Sequence, residues 1–391
     1  MDYAKEALRL HKEWSGKLEI VPKMSIETKN DLSVAYTPGV AAPCLAIHED
    51  ARLSYTYTGR GHTIAVISDG SAVLGLGNIG PEAGMPVMEG KCVLFKALSG
   101  LDAIPLCLNT QDTDKLVDII AALEPSFGGI NLEDIAAPRC FEVEQRLKER
   151  MNIPVFHDDQ HGTAIVTCSA LVNALRLVKK KDPEIVIMGA GSAGCAIASL
   201  ILDLELGNVV LLNRQGILQK DMPLSSGQKA LIDRLNKNHK TGGLKEAMKG
   251  ADVFIGVSAP HIVSKDMVRS MNEKAIVFPM ANPTPEIEPQ DAKEANAYIV
   301  GTGRSDHPNQ INNLLAFPGI FKGALEAQAT EINYEMKKAA VFAIASMIPE
   351  AELSPENIIV SALDPRVVPV VTKAVKQAAI DSGVIRKWNQ Y

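Results

Sequence analysis

Glu184-Ile185-Val186-Ile187-Met188-Gly189-Ala190-Gly191-Ser192-Ala193-Gly194 is the stretch on which the reading of the fold turns. A short apolar run bounded by glycine reads as a buried strand, and a full G-x-G-x-x-G follows it. A helical pattern then runs from Cys195 to Leu206, with Gly207 expected as its C-cap, and a second strand runs from Val209 to Asn213. The motif alone is weak evidence; inside a strand–helix–strand unit it marks a dinucleotide site. Gly189 permits the tight turn, Gly191 lets backbone approach a pyrophosphate, and Gly194 allows close helix packing. The helix N-terminus adds free N–H groups and a partial positive charge. The plainer alternative is a turn of small residues serving packing alone.

The second strand ends in Asn213-Arg214, where an NAD enzyme usually carries Asp or Glu for the ribose hydroxyls. Asn213 can bond a hydroxyl without repelling a 2′-phosphate, and Arg214 can pair with one. The pair leans toward NADP, or toward use of both NAD and NADP. Arg214 pointing into solvent is the competing expectation.

Outward from this unit, further strands are expected at Asp252–Val257, Ala275–Met280 and Ala297–Val300, then helices at Lys322–Ile348 and Arg366–Ser382. Upstream, an amphipathic helix at Tyr3–Trp14 precedes a long polar loop ending in Tyr36-Thr37-Pro38-Gly39-Val40. Strands follow at Thr63–Ile67, Ile104–Leu108, Gly129–Leu132 and Pro154–Phe156, alternating with helices near Glu89–Leu98, Thr113–Leu123 and Arg139–Glu149. Pro138 suits the first turn of that last helix. The fold class is α/β: a substrate and metal domain, then a doubly wound Rossmann-type unit. The C-terminal helices are expected to pack back on the first domain. That divides the chain into 1–158 plus 313–391, and 159–312.

The 391 residues suffice for two or three cores, and the hydrophobic share of 46% is ordinary for a globular chain. A net charge of −6 argues against a nucleic-acid partner. Lys179-Lys180-Lys181 reads as a solvated helix end. The first sixteen residues lack an apolar core, so no signal peptide is expected, and no apolar run reaches membrane-spanning length. Six cysteines without a C-x-x-C pair read as buried free thiols in a reducing, cytoplasmic setting.

Two acidic pairs stand at expected strand ends, Glu133-Asp134 and Asp158-Asp159. Adjacent carboxylates are costly to bury unless a cation neutralises them. Carboxylates without sulfur suit Mg²⁺ or Mn²⁺. His157 and His161 have a spacing that zinc could use on one helix, and Asp158-Asp159 could simply cap the helix that follows.

Tyr36-Thr37-Pro38-Gly39-Val40, Ser68-Asp69-Gly70 with Leu74-Gly75-Leu76-Gly77-Asn78, Phe156 to Ala164, Ala281-Asn282-Pro283-Thr284, and Asn312-Asn313 with Phe317-Pro318-Gly319 resemble, in order, the malic enzymes. The resemblance spans about residues 20 to 325 and is similar in length to the small-subunit bacterial type. It implies metal-dependent oxidative decarboxylation of L-malate to pyruvate with NAD(P), by a homodimer. Glu133, Asp134 and Asp159 would bind Mg²⁺ or Mn²⁺. Tyr36 would be the general acid and Lys91 the general base, assisted by Asp158. Asn282 and Asn313, with Lys91, would hold the substrate. Thr163, Ser192, Ala193, Cys195 and Asn282 would join the three glycines, Asn213 and Arg214 around the cofactor. Larger members place a substrate arginine where this chain has Ser71-Ala72-Val73, so that contact is absent or replaced.

The chemistry needs such groups: a base for the C2 hydroxyl proton, a cation to polarise the new carbonyl, and an acid for C3. A lysine serves as base only with a lowered pKa, which burial near a cation could provide. A two-domain amino-acid dehydrogenase is a second reading, but it needs no metal cluster. A nucleotide-sensing module without turnover is a third, and it needs neither Tyr36 nor Lys91.

Overall fold

The chain's computed structural model describes residues 2–386. Four helices come first: α1 (Tyr3–Trp14), α2 (Lys29–Ala35), α3 (Ala41–Glu49) and α4 (Ser54–Tyr57). None of them buries a residue. The polar loop expected before Tyr36 therefore contains a helix. Thr28 caps it by accepting from the Asp31 N–H, while the Asp31 side chain accepts from the Thr28 N–H. That capping box was readable as T-x-x-D, but the segment lacks the apolar face that announces a helix.

The first sheet follows. Its strands are β1 (Thr63–Ser68), β2 (Asp102–Cys107), β3 (Gly129–Leu132) and β4 (Val155–His157). They are parallel, in the order β2-β1-β3-β4. Helices α5 (Pro81–Leu94), α6 (Thr113–Ala122) and α7 (Arg139–Arg150) connect them. β1 is buried beyond its first residue, so it reads as a continuous apolar run rather than an alternating one.

Helix α8 (Asp158–Val178) then leads to the second sheet. The second sheet holds β5 (Glu184–Met188), β6 (Asn208–Asn213), β7 (Gly216–Ile217), β8 (Val253–Gly256), β9 (Ile276–Pro279) and β10 (Ile299–Val300). Its order is β10-β9-β8-β5-β6-β7, parallel except for the β6–β7 hairpin, which sequence reading missed. Helix α9 (Ser192–Asp203) follows the glycine loop, and α10 (Ser226–Lys229), α11 (Leu244–Met248), α12 (Lys265–Arg269) and α13 (Pro289–Glu294) are short connectors. α9 stops at Asp203 with Leu204 as C-cap, so Gly207 is not the cap. Glu205 takes the left-handed conformation instead, and Gly207 is needed where the chain presses on the Pro183 carbonyl.

Three helices close the chain: α14 (Phe317–Glu326), α15 (Tyr334–Ala345) and α16 (Val367–Asp381). The single helix expected over Lys322–Ile348 is thus two, broken between Glu326 and Tyr334, where Asn333 caps the second. Phe317 and Phe321 of α14 meet Phe95 edge-on, with ring centroids 4.8 and 5.4 Å apart, and Phe321 meets Phe156 at 5.7 Å. α14 therefore packs against the first sheet, at Phe156 of β4.

α8 is the one described helix long and apolar enough to cross a membrane, but most of it is buried inside the molecule. It touches α9 and α15, and its apolar residues join both sheets in one core. All six cysteines are free; Cys92, Cys140, Cys168 and Cys195 are buried as expected, but Cys44 is exposed and Cys107 only half-buried. Lys180 is not solvated: it pairs with Asp252 at 2.6 Å, tying the end of α8 to the second sheet.

Phe321 is fully buried against two other rings. Phe321→Ala should cost about 3–5 kcal/mol, read as a fall in the urea midpoint with the slope unchanged. An unchanged midpoint would show that α14 does not hold the first sheet.

Candidate active site

The carboxyl ends of β3 and β4 in the first sheet, and of β5 and β9 in the second, lead into the segments that carry Glu133 and Asp134, Asp158 and Asp159, the glycine loop and Asn282. A cavity of about 490 Å³ lies among these loops. Its lining brings together Lys91, Glu133, Asp134, Asp159, Thr163, Ser192, Ala193, Asn282 and Asn313.

Glu133 and Asp134 follow β3, and Asp158 and Asp159 open α8 directly after β4. Two acids in the first turn of a helix sit well with its dipole. One ligand atom from each of Glu133, Asp134 and Asp159 lies within 4.8 Å of the others. Asp134 adopts the left-handed conformation, at φ 55°, and its N–H donates to Asp159 Oδ2 at 2.8 Å. Asn131 donates to Glu133 Oε2 at 2.8 Å. Burial, then the charge of Asp159, pushes Glu133 up to about 8. Burial, then Asp134, pushes Asp159 up to about 7. Carboxylates held this close are a set that a divalent cation would relieve, and an all-oxygen donor set suits a hard ion.

Lys91 projects from α5 and is 11% exposed. Its Nζ lies 2.6 Å from Asp158 Oδ2, 3.0 Å from Glu133 Oε1 and 4.3 Å from the centre of the Phe317 ring. Burial works to lower its pKa, but Asp158 and Glu133 outweigh burial and hold it well above the ordinary lysine range. The expected lowering is therefore reversed by the two carboxylates in contact with the ammonium. Asp158 is fully buried and also accepts from Asn313 Nδ2 at 3.0 Å, while Asn313 Oδ1 accepts from Thr163 at 3.2 Å. Gly162 in the H-x-x-x-x-G run is required because a Cβ there would overlap the Asp158 carboxylate.

On the cofactor side, Gly189 turns at φ 119°, and a Cβ on Gly194 would strike the Gly189 carbonyl. Gly191 is the N-cap of α9 with no side-chain cap, so the first N–H groups of that helix stay open. Gly191 has open space around it, as close approach of a phosphate requires. Asn213 Oδ1 accepts from the Gln215 N–H at 2.7 Å, closing the β6–β7 turn, and Arg214 is exposed at its tip. Neither lines the cavity, and Gly189, Gly191, Gly194 and Cys195 lie outside its lining as well.

Tyr36 is not brought to the cavity. It is 67% exposed, at the end of α2. Among the described residues no arginine lines the cavity, and Ala72 itself forms part of the wall. The two histidines do not converge on one ion. His161 meets Glu144 at 2.9 Å, whereas the His157 ring is buried without a hydrogen-bond partner and burial lowers its pKa to about 4.

Sequence reading missed the residues that hold these loops. Arg139 pairs with the buried Asp69 and donates to Ser71 Oγ at 2.9 Å, fixing the turn that carries Ala72. Glu144 accepts from the His157 N–H at 3.1 Å and pairs with Lys148 at 2.8 Å, which pins the start of α8. The buried Glu286 accepts from the Ser258 and Ala281 N–H groups at 2.8 and 3.1 Å, joining two loops of the cofactor wall.

Comparison with known proteins agrees with this arrangement. Residues 15–148 match the family model for the malic enzyme N-terminal domain, and residues 160–379 match that for the malic enzyme NAD-binding domain. The chain is 54% identical to the bifunctional malic/malolactic enzyme of Bacillus subtilis, over 99% of this chain and 95% of that one. It is 48% identical to an NADP-dependent malic enzyme of Haemophilus influenzae, over 96% of this chain but 53% of that longer one. A solved NAD-dependent malic enzyme of Thermotoga maritima superposes with a TM-score of 0.91 at 49% identity, covering 95% and 98% of the two chains. On its two sheets, its carboxylate-lined cavity and these matches along nearly its whole length, the chain belongs to the malic enzyme family.

Proposed function

We propose that this cavity oxidises L-malate and decarboxylates it to pyruvate and CO₂ with reduction of NAD(P), using a divalent cation held by Glu133, Asp134 and Asp159. The observation that carries the reading is Lys91, wedged between Glu133 of that carboxylate cluster and the buried Asp158. Mg²⁺ or Mn²⁺, when bound, would polarise the C2 oxygen, and the nicotinamide would take the hydride from C2. Once its own proton has passed to Asp158 across the 2.6 Å contact, the neutral Lys91 Nζ accepts the C2 hydroxyl proton. Neutralising Glu133 withdraws one of the two charges that hold the ammonium, which lets Lys91 give up a proton. Asn282 and Asn313 orient the substrate carboxylates, with Thr163 and Asp158 fixing the Asn313 amide. The C3–C4 bond breaks as CO₂ leaves, and Tyr36 returns a proton to C3 of enolpyruvate.

For the cofactor, the glycine loop, the open N–H groups of α9, Ser192 and Ala193 would hold the pyrophosphate. The exposed Arg214 beside Asn213 supports NADP, or use of both cofactors, because no acid at that turn repels a 2′-phosphate. The division into 1–158 with 313–391, and 159–312, is supported by the Phe317 and Phe321 contacts to Phe95 and Phe156. Met1 and residues 387–391 fall outside the described residues. Six unpaired cysteines support a reducing, cytoplasmic setting.

Three outcomes test this reading. Tyr36→Phe should stop proton delivery to C3, and Lys91→Ala should cripple hydride transfer itself, each lowering kcat by about 10²–10⁴. Malate turnover at the parent rate by either variant would remove that residue's role. Asp159→Ala should raise the Mn²⁺ concentration needed for half-maximal rate while NAD(P) binding, followed by nicotinamide fluorescence, stays near normal. A parent enzyme untouched by exhaustive chelation would reject the metal. Finally, Asn213→Asp should penalise NADP, and Arg214→Ser should weaken NADP more than NAD. The swing in the kcat/KM ratio should be roughly tenfold, measured at fixed ionic strength. A change below about twofold in both would show that Arg214 does not meet the cofactor and end the lean to NADP.

A further inference from the structure

We propose that Gln228, on α10, is a positioning residue for the cofactor. It holds the Ala190–Gly191 peptide of the glycine loop in the orientation that offers an N–H to the pyrophosphate. The inference deepens the cofactor reading given above and rests on it.

The loop does not fix this peptide by itself. On one side the Gly189 N–H donates to the Leu212 carbonyl at 3.0 Å, and on the other the Gly191 carbonyl accepts from the Cys195 N–H at 3.1 Å. The peptide between Ala190 and Gly191 is left to rotate. Gly191 has no Cβ and stands in open space, so the rotation meets little steric resistance. Its outcome decides what a phosphate encounters. The bond is trans, so its carbonyl and its N–H point opposite ways. One orientation presents the Gly191 N–H, which makes no backbone hydrogen bond among the described residues. The other presents a carbonyl oxygen, which repels an anion.

Gln228 selects between them from outside the strand–helix–strand unit, 38 residues beyond Ala190. Its Nε2 donates to the Ala190 carbonyl at 2.8 Å, and Ala190 is only 8% exposed. A carbonyl this enclosed needs a partner. The other donor beside it is the Cys195 thiol, a weak one, at 3.5 Å. No residue of α10 lines the cavity. A carbonyl turned toward α10 therefore leaves the Gly191 N–H facing away from that helix, beside the open N–H groups of α9.

The glutamine is held firmly enough to do this. Its Oε1 accepts from the Ser225 N–H at 3.0 Å, and its own N–H donates to Ser225 Oγ at 3.4 Å. Leu231 and Leu235, just beyond, are buried in the core that includes residues of α8 and α9. Gly227 lies so near the Phe141 ring of α7 that a Cβ there would be 3.0 Å from it. Capping α10 uses only the bonds to Ser225. The bond to Ala190 is additional, and it is the one that reaches the cofactor loop.

Three variants separate the two roles. Gln228→Met keeps the length of the side chain and removes both of its bonds. Gln228→Glu still accepts from the Ser225 N–H, but at neutral pH it has no proton for the Ala190 carbonyl. Ser225→Ala removes Oγ from the cap and leaves the bond to Ala190 in place. NADH and NADPH are titrated into each full chain by nicotinamide fluorescence, at an ionic strength high enough to screen the charge added by Gln228→Glu. Both Gln228 variants should bind more weakly by roughly fivefold to tenfold, as expected for one hydrogen bond to a buried carbonyl. Ser225→Ala should bind as the parent does. Because the pyrophosphate is common to both nucleotides, the losses for NADH and NADPH should match. The KM for NAD(P) should rise by the same factor while kcat at saturating cofactor holds, since Gln228 touches no reacting atom. Equal weakening by Ser225→Ala and Gln228→Met would reduce Gln228 to part of the cap and overturn the proposal. Parent-like binding by Gln228→Glu, with circular dichroism unchanged, overturns it as well, and this variant decides if Gln228→Met fails to fold. A loss confined to one nucleotide would put Gln228 at the ribose instead and overturn the loop role. A parent chain that binds neither nucleotide would overturn the cofactor reading itself.

Discussion

One ammonium group holds the carboxylate-lined cavity together. Lys91 comes from α5, Glu133 from the end of β3 and Asp158 from the first turn of α8, and both carboxylates lie within 3.0 Å of the ammonium. Each is expensive to bury alone, and each is where it is because the others compensate it. Asn313, Thr163 and Gly162 are arranged around the same carboxylate, the first two by hydrogen bonds and the last by leaving it room. Removing any member leaves a charge without its counterpart in a closed space, so the site has little tolerance for drift.

α8 carries that arrangement into the body of the molecule. Its first turn belongs to the carboxylate cluster, and its remaining length is the apolar partner of α9 and α15. The helix is apolar on nearly all sides because protein surrounds it, which is also why its composition imitates a membrane span. Its start is held by Glu144 accepting from the His157 N–H and its end by Lys180 on Asp252, a hydrogen bond and an ion pair at opposite ends of one rigid element.

Much of this was legible from residues. β3 and β5 were read at their observed bounds, because buried parallel strands announce themselves as uninterrupted apolar runs. The glycine loop and the Glu133, Asp134 and Asp159 set were legible because each needs residue types that few other roles require. Helix α2 was not, since its seven residues offer no apolar stripe to count, whereas the amphipathic α1 was read at its observed bounds. The break between α14 and α15 was missed because both flanks are helical and no proline marks it. Arg139, Glu144 and Glu286 act by holding loops that approach only in three dimensions, so no spacing along the chain betrays them. Lys91 shows the limit most clearly. Its role follows from the resemblance, but the direction of its pKa depends on distances to Asp158 and Glu133 that no one-dimensional pattern contains.

The continuity of α8 bears on modularity. A nucleotide-binding unit is commonly treated as a cassette that can be cut out and replaced. Here the cut would have to pass through a helix whose opening residues belong to the carboxylate cluster and whose later turns are packed into one core with both sheets. Grafting a foreign nucleotide half onto residues before Asp158 would discard Asp159 with the old half. Keeping α8 would force the newcomer to match its buried face. Such chains are therefore expected to diversify by substitution around the β6–β7 turn rather than by recombination, since that turn touches the cofactor half alone.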